Sequence, residues 1–96
     1  FADMSSEYKQ LKSNTKEQLQ KINQKLEKLG DKIAKMSGEA KEKLKEEYNE
    51  LTQSRNSLKE MLNDAKDTSE EKWSQMKDKI EDYADDLESK IDKAFN

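Results

Sequence analysis

Four pairs of neighbouring carboxylates, Glu46-Glu47, Glu70-Glu71, Glu81-Asp82 and Asp85-Asp86, are the residues of this chain whose type and spacing could do chemistry. Paired carboxylates can hold a divalent cation or divide acid and base roles between them. Either use needs supporting residues. A di-metal helical bundle takes Glu-x-x-His motifs from its helices, and the chain has no histidine. A calcium loop takes Asp-x-Asp-x-Asp-Gly, a pattern that occurs nowhere here. Cysteine is absent as well, which removes thiolate nucleophiles, disulfides and soft metal ligands. The expectation is a protein that is not an enzyme, with no catalytic, cofactor-binding or metal residue, no cofactor and no evident small-molecule substrate. The acidic pairs read as solvated helix faces, with i,i+4 partners such as Glu17 and Lys21 adding about 0.3 kcal/mol each.

The elements that carry these faces follow from composition. Ninety-six residues suit one domain, residues 1–96. Charged residues make up 43% and hydrophobic ones 30%, with no proline and two glycines, a mix that favours long helices over strands. Apolar or near-apolar positions recur from Met4 to Ala94 in 25 steps over 90 residues, a mean of 3.6. That is the period of an unstrained α-helix with one narrow stripe. The polar exceptions on the stripe are Thr15, Arg55 and Ser69.

Two stretches break the helix on capping grounds. At Met36-Ser37-Gly38-Glu39, glycine is a poor interior residue and Ser37 can cap a second helix. At Thr68-Ser69-Glu70-Glu71, Thr68 and Glu71 spell a capping box. Gly30 is a third, weaker break. The expected fold is all-α, a three-helix up-down-up bundle or antiparallel coiled coil with helices over 4–36, 39–66 and 69–95. Because the apolar phase runs through every break, the alternative is a long helical hairpin, or an extended helix of about 130 Å pairing in an oligomer.

Charge favours the bundle. Residues 1–36 hold eight lysines against five acids, and residues 67–96 hold five lysines against ten acids. In an up-down-up bundle these two segments lie side by side and attract. Constant position sums then place Thr15, Arg55 and Ile80 at one level, with the Arg55 guanidinium sent out to Asp78, Glu81 or Asp82. Trp73 is expected to plug one end with Tyr8, Met61 and Leu62, its indole N–H near water. Ile91, Ala94 and Phe95 are expected to meet Leu26, Leu29 and Leu44 at the other end.

The order Tyr8-x-x-Leu11, Gly38-Glu39-Ala40-Lys41, Glu47-Tyr48-x-x-Leu51, Arg55, Ser69-Glu70-x-x-Trp73 and Leu87…Ile91…Ala94-Phe95 resembles a family of small bacterial coiled-coil proteins described as stress-response proteins. In that family a Ser-x-x-x-Trp signal opens the last amphipathic helix, as Ser69 to Trp73 does here. The resemblance covers nearly the whole chain and brings no catalytic residue with it.

The functional expectation is a structural or protein-interaction bundle, stress-related in the bacterial envelope, with a protein partner or self-association. Its alternative is an amphipathic protein that binds lipid or membrane surfaces reversibly. Nucleic acid is not expected as a partner, because a net charge of −3 and a single arginine suit phosphate poorly. The chain starts at Phe1, for which a cleaved secretory leader is one explanation and trimming another. An extracytoplasmic location, periplasmic or secreted, is expected on that basis, with the cytoplasm as the alternative.

Overall fold

Residues with high helix propensity, spaced for one apolar stripe, fold into three helices in the computed structural model, which describes residues 2–95 and the side chains of 6–95. They are α1 (Ala2–Ala34), α2 (Gly38–Asp64) and α3 (Glu70–Ala94), with a single 3₁₀ turn at Ala65–Asp67. All three pack on one another in a rod of 55 × 18 × 18 Å. The length matches one helix of 33 residues, about 50 Å at 1.5 Å per residue. The single extended helix and the two-helix hairpin are thereby replaced by the three-helix bundle.

Direction is fixed by the contacts. Tyr8 of α1 reaches Leu62 of α2, and Asn23 reaches Arg55, so sequence rises on one helix as it falls on the other. Tyr8 meets Trp73 and Lys25 meets Glu88, so α1 and α3 run parallel. The topology is up-down-up.

The core is the stripe. Among the described residues fifteen apolar ones are buried, with Ile22, Leu29, Leu58, Ile80, Leu87 and Ile91 almost completely shielded from water. The stripe is not used evenly. On α1 every stripe position from Leu11 to Ile33 is buried, whereas on α2 only Leu51, Leu58 and Leu62 are. Leu44 and Tyr48 are half-buried, and Ala40 is exposed. Met4 lies outside the described side chains.

The turns show how an unbroken phase coexists with two reversals. Met36 is half-buried while Ala40 and Ser69 are exposed, so at both turns the phase passes through residues that contribute little or nothing to the core. The helix limits are shifted from the expected 4–36, 39–66 and 69–95 by one or two residues at each end. α1 stops at Ala34 because Lys35 and Met36 donate to Lys32 O and Ile33 O, tightening its end into i→i+3 bonds. Ser37 caps α2 by position, with extended φ −148° and ψ 163°, but its side chain makes no cap bond. At the second turn the cap is Ser69, not Thr68, so the Thr68–Glu71 box does not form. Thr68 is extended instead, its N–H donating to Ala65 O to close the 3₁₀ turn.

The two glycines have opposite meanings. Gly38 has φ +78°, a left-handed conformation that makes the reversal and that a side chain would strain. Gly30 does not break α1. It faces the Tyr48 ring, and a methyl there would stand 3.6 Å from the ring, an ordinary contact. Gly30→Ala is therefore expected to stabilise the fold by about 0.5–1 kcal/mol, and Gly38→Ala to destabilise it by about 1 kcal/mol. Urea unfolding followed by circular dichroism checks both signs, and a loss with Gly30→Ala would place Tyr48 too close to tolerate the methyl.

Candidate functional site

At 100° per residue, α1 has two flanks beside its buried stripe, and they are electrostatically unlike. One carries Gln18, Lys25 and Lys32 and faces α3. Lys25 Nζ lies 2.9 Å from Glu88 Oε2 and 2.9 Å from Asp92 Oδ1. Gln18 Nε2 donates to Asp85 Oδ1 at 2.9 Å and Glu88 Oε1 at 3.1 Å. Lys32 Nζ donates to Phe95 O at 3.0 Å and lies 5.9 Å from the centre of that ring, a cation at the negative end of α3. This seam is the attraction that the segment charges predict.

The pairing perturbs both ends. Hydrogen bonds to Asp92 and then Glu88 raise the Lys25 ammonium above its ordinary 10.5. The bond from Lys25 holds the Glu88 carboxyl below its ordinary 4.5, outweighing its partial burial. A lowered carboxyl stabilises the fold above its unfolded pKa, and that stability is lost as pH falls through the folded value. A raised ammonium contributes below 10.5 and is lost as pH rises beyond that. Lys25→Met is therefore expected to remove about 0.5–1 kcal/mol at neutral pH, a figure discounted for partial solvent exposure, and progressively less below pH 4.5. Stability measured against pH for the two proteins should converge on the acid side; curves that stay parallel would remove the pair from the fold's energetics.

The other flank of α1 faces α2 and is the candidate site. An open groove of about 380 Å³ runs along it, floored by Tyr8, Leu19 and Leu62 and rimmed by Lys12, Lys16 and Lys59. Asn23, towards its far end, accepts from Arg55 Nη1 at 3.1 Å. No acidic side chain lines the groove. Among the described residues neither these three lysines nor Arg55 is in an ion pair. Arg55 reaches neutral amides alone, Asn23 and the neighbouring Asn56. Lys12 and Lys16, four apart on one helix, are like charges on adjacent turns.

The expected bond from Arg55 to Asp78, Glu81 or Asp82 is thus corrected. Arg55 shares its flank of α2 with Tyr48, which packs on Gly30, and with Lys59, so its guanidinium goes to α1 and not to α3. Among the described residues Thr15 alone is a buried polar residue, 4% exposed, and the polar layer reduces to it. Thr15→Val is expected to raise the melting temperature by several degrees, about 1 kcal/mol, by replacing a buried hydroxyl with a methyl of like shape. Arg55→Leu should not help, because it removes a solvent-reaching clasp; calorimetry on each single variant separates the two.

The acidic pairs are where solvated faces would be. Glu46, Glu47, Glu70, Glu71, Glu81, Asp82, Asp85 and Asp86 are all exposed. Asp85 meets Gln18 and Asp86 meets Lys90 at 3.1 Å, the one ion pair of i,i+4 spacing among the described residues. Glu17 and Lys21 do not close. No three acidic side chains converge among the described residues.

At the Tyr8 end of the groove stands Trp73, edge-on to Tyr8 with centroids 6.4 Å apart. The plug is present, but its indole N–H is buried without a partner and not at the wet surface. At the opposite end Leu44, Ala94 and Phe95 are half-buried against the core that contains Leu26, Leu29 and Ile91. No helix among the described residues is long and apolar enough to cross a membrane. The chain matches no protein-family model, no curated protein and no solved structure, so the chemistry of the groove is what speaks for function.

Proposed function

We propose that the protein is a non-enzymatic interaction module, a closed three-helix bundle that binds a protein partner on its surface. One observation carries this reading. Along the seam between α1 and α2 three lysines rim apolar surface with no acidic side chain in the lining, and Arg55 stands beside Asn23 at its end, in a chain whose net charge is −3. Like charges held together weaken the isolated bundle, and a bound anionic surface relieves that cost. The shallow, open form suits a macromolecular surface better than an enclosed small molecule. The stress-response setting in a bacterial envelope enters through the resemblance at Ser69-Glu70-x-x-Trp73 and its companion motifs.

The competing reading, reversible binding to a lipid surface, requires the bundle to open, since among the described residues fifteen apolar ones of the stripe face inward. Flotation with anionic and zwitterionic vesicles, read together with Trp73 emission, decides between them. The interaction module stays closed, does not float with zwitterionic vesicles, and keeps the emission of a buried indole on both. Flotation with both lipids and a shift of Trp73 emission would overturn the proposal and give the function to lipid.

A further inference from the structure

The geometry points to an acidic amphipathic helix of a partner protein as the occupant of the groove between α1 and α2, an inference that rests on the interaction-module function. Three features select it. First, Lys12 and Lys16 stand one turn apart on α1 with Lys59 across from them, and Arg55 continues the positive side beyond Asn23. Carboxylates on successive turns of a second helix match that spacing. Second, the floor of Tyr8, Leu19 and Leu62 gives apolar anchors at helical spacing a place between the charged rims. Third, from Tyr8 to Asn23 the groove spans about 22 Å, four turns of helix.

The contrast between the two seams of α1 is what makes the cations available. On the α3 side Lys25 is already neutralised by Glu88 and Asp92. On the α2 side cations face cations. The acidic α3 lies across the bundle and repels an acidic partner, steering it to this face.

A second copy of this chain fits less well. Its acidic helix presents Ser74, Gln75, Asp78, Asp82, Asp85 and Ser89 outward, all exposed, and this face carries no large apolar side chain to meet the floor. The partner therefore needs what the outward face of α3 lacks, a leucine or phenylalanine stripe flanked by glutamates.

The test uses the whole chain, labelled with ¹⁵N, and three synthetic helical peptides: one with a leucine stripe and glutamate flanks, its lysine-flanked twin, and a glutamate peptide with serine for leucine. Expected is saturable binding of the acidic leucine peptide, with shifts concentrated at Tyr8, Lys12, Leu19, Lys59 and Leu62 and a marked loss of affinity on adding salt. The triple variant Lys12→Glu, Lys16→Glu, Lys59→Glu should lose at least about tenfold in affinity and prefer the lysine twin. A control of equal charge change at exposed positions, Lys9→Glu, Lys28→Glu, Lys43→Glu, should lose less than about threefold. Circular dichroism confirms that both triple variants are folded.

Equal losses in the two triple variants would overturn the site, and equal binding of the serine peptide would overturn the apolar anchoring. Groove shifts that grow with protein concentration alone would give the groove to a second copy, and shifts with dodecanoate but not with peptide would give it to a fatty acid; either overturns the inference. Failure of the peptide with a bundle that stays closed on vesicles removes this occupant and leaves the interaction module standing. Opening on vesicles removes that module itself.

Discussion

Leu58→Ala is expected to lower the stability of the bundle by about 3 kcal/mol, and Leu44→Ala, fourteen residues earlier on the same stripe, by about 1 kcal/mol or less. Leu58 has no exposed surface, and Leu44 is half-buried at the rim of the core. Deleting the first side chain strips a fully packed site and leaves a cavity; deleting the second leaves a dent that water fills. The contrast matters because α2 buries only Leu51, Leu58 and Leu62 within its helical span. Each therefore holds a larger share of the helix in place than any one residue of α1, which buries seven stripe positions between Leu11 and Ile33. A domain of this size is stable by roughly 5–14 kcal/mol in total, so the loss at Leu58 is a large fraction of what exists. It corresponds to a fall of about 12–24 °C in melting temperature, against a few degrees for Leu44. Thermal unfolding of the two variants checks this, and equal shifts would mean that the first half of α2 is packed as tightly as the second.

The same unevenness marks the limit of what spacing reveals. A mean step of 3.6 gives helix and one apolar stripe, and the charges of the end segments favour their parallel alignment; both come from properties averaged over many residues, whereas the division into three rests on a few local residues, Ser37-Gly38 and Thr68 to Glu71. Ala40 and Ser69 sit in phase with the core and are nonetheless exposed, because phase alone does not register where the chain turns away. Arg55 shows a second limit. Its level along the bundle can be read from position sums, but its partner depends on which flank of α2 meets α1. That choice is the handedness of the bundle, on which a repeat of apolar positions is silent. Had α2 and α3 been exchanged around α1, Lys12 and Lys16 would have faced acids and the groove would have been neutral. The candidate site is therefore made of residues visible in the sequence as part of a basic first segment, and made a site only by the hand in which three helices pack. Trp73 was legible as an end plug because size and position suffice for that. The fate of its N–H was not, since it depends on whether any acceptor comes within reach.

That N–H supplies the second large effect. Trp73 is 6% exposed, and its Nε1 is the one buried side-chain nitrogen or oxygen without a partner among the described residues. Two opposing quantities meet at this residue. Burial of the ring and its edge-on contact with Tyr8 stabilise the end of the bundle, so Trp73→Ala is expected to cost about 4 kcal/mol. An unmet buried donor costs about 1–3 kcal/mol, which Trp73→Phe removes together with part of the ring. The smaller ring forfeits packing of similar size, so Trp73→Phe is expected to fall within about 1 kcal/mol of the parent protein. Tyr8 links the plug to function, because it both abuts Trp73 and floors the groove, with its hydroxyl donating to Leu62 O at 3.5 Å. The phenylalanine variant should then bind an acidic helix as the parent does, whereas the alanine variant, held below its melting temperature, should bind it at least about tenfold more weakly as Tyr8 loses its support. Circular dichroism during urea unfolding supplies the stabilities and amide shifts the affinities. If phenylalanine costs as much as alanine, the indole N–H is satisfied in solution and the strength of the plug lies in the full width of the tryptophan ring.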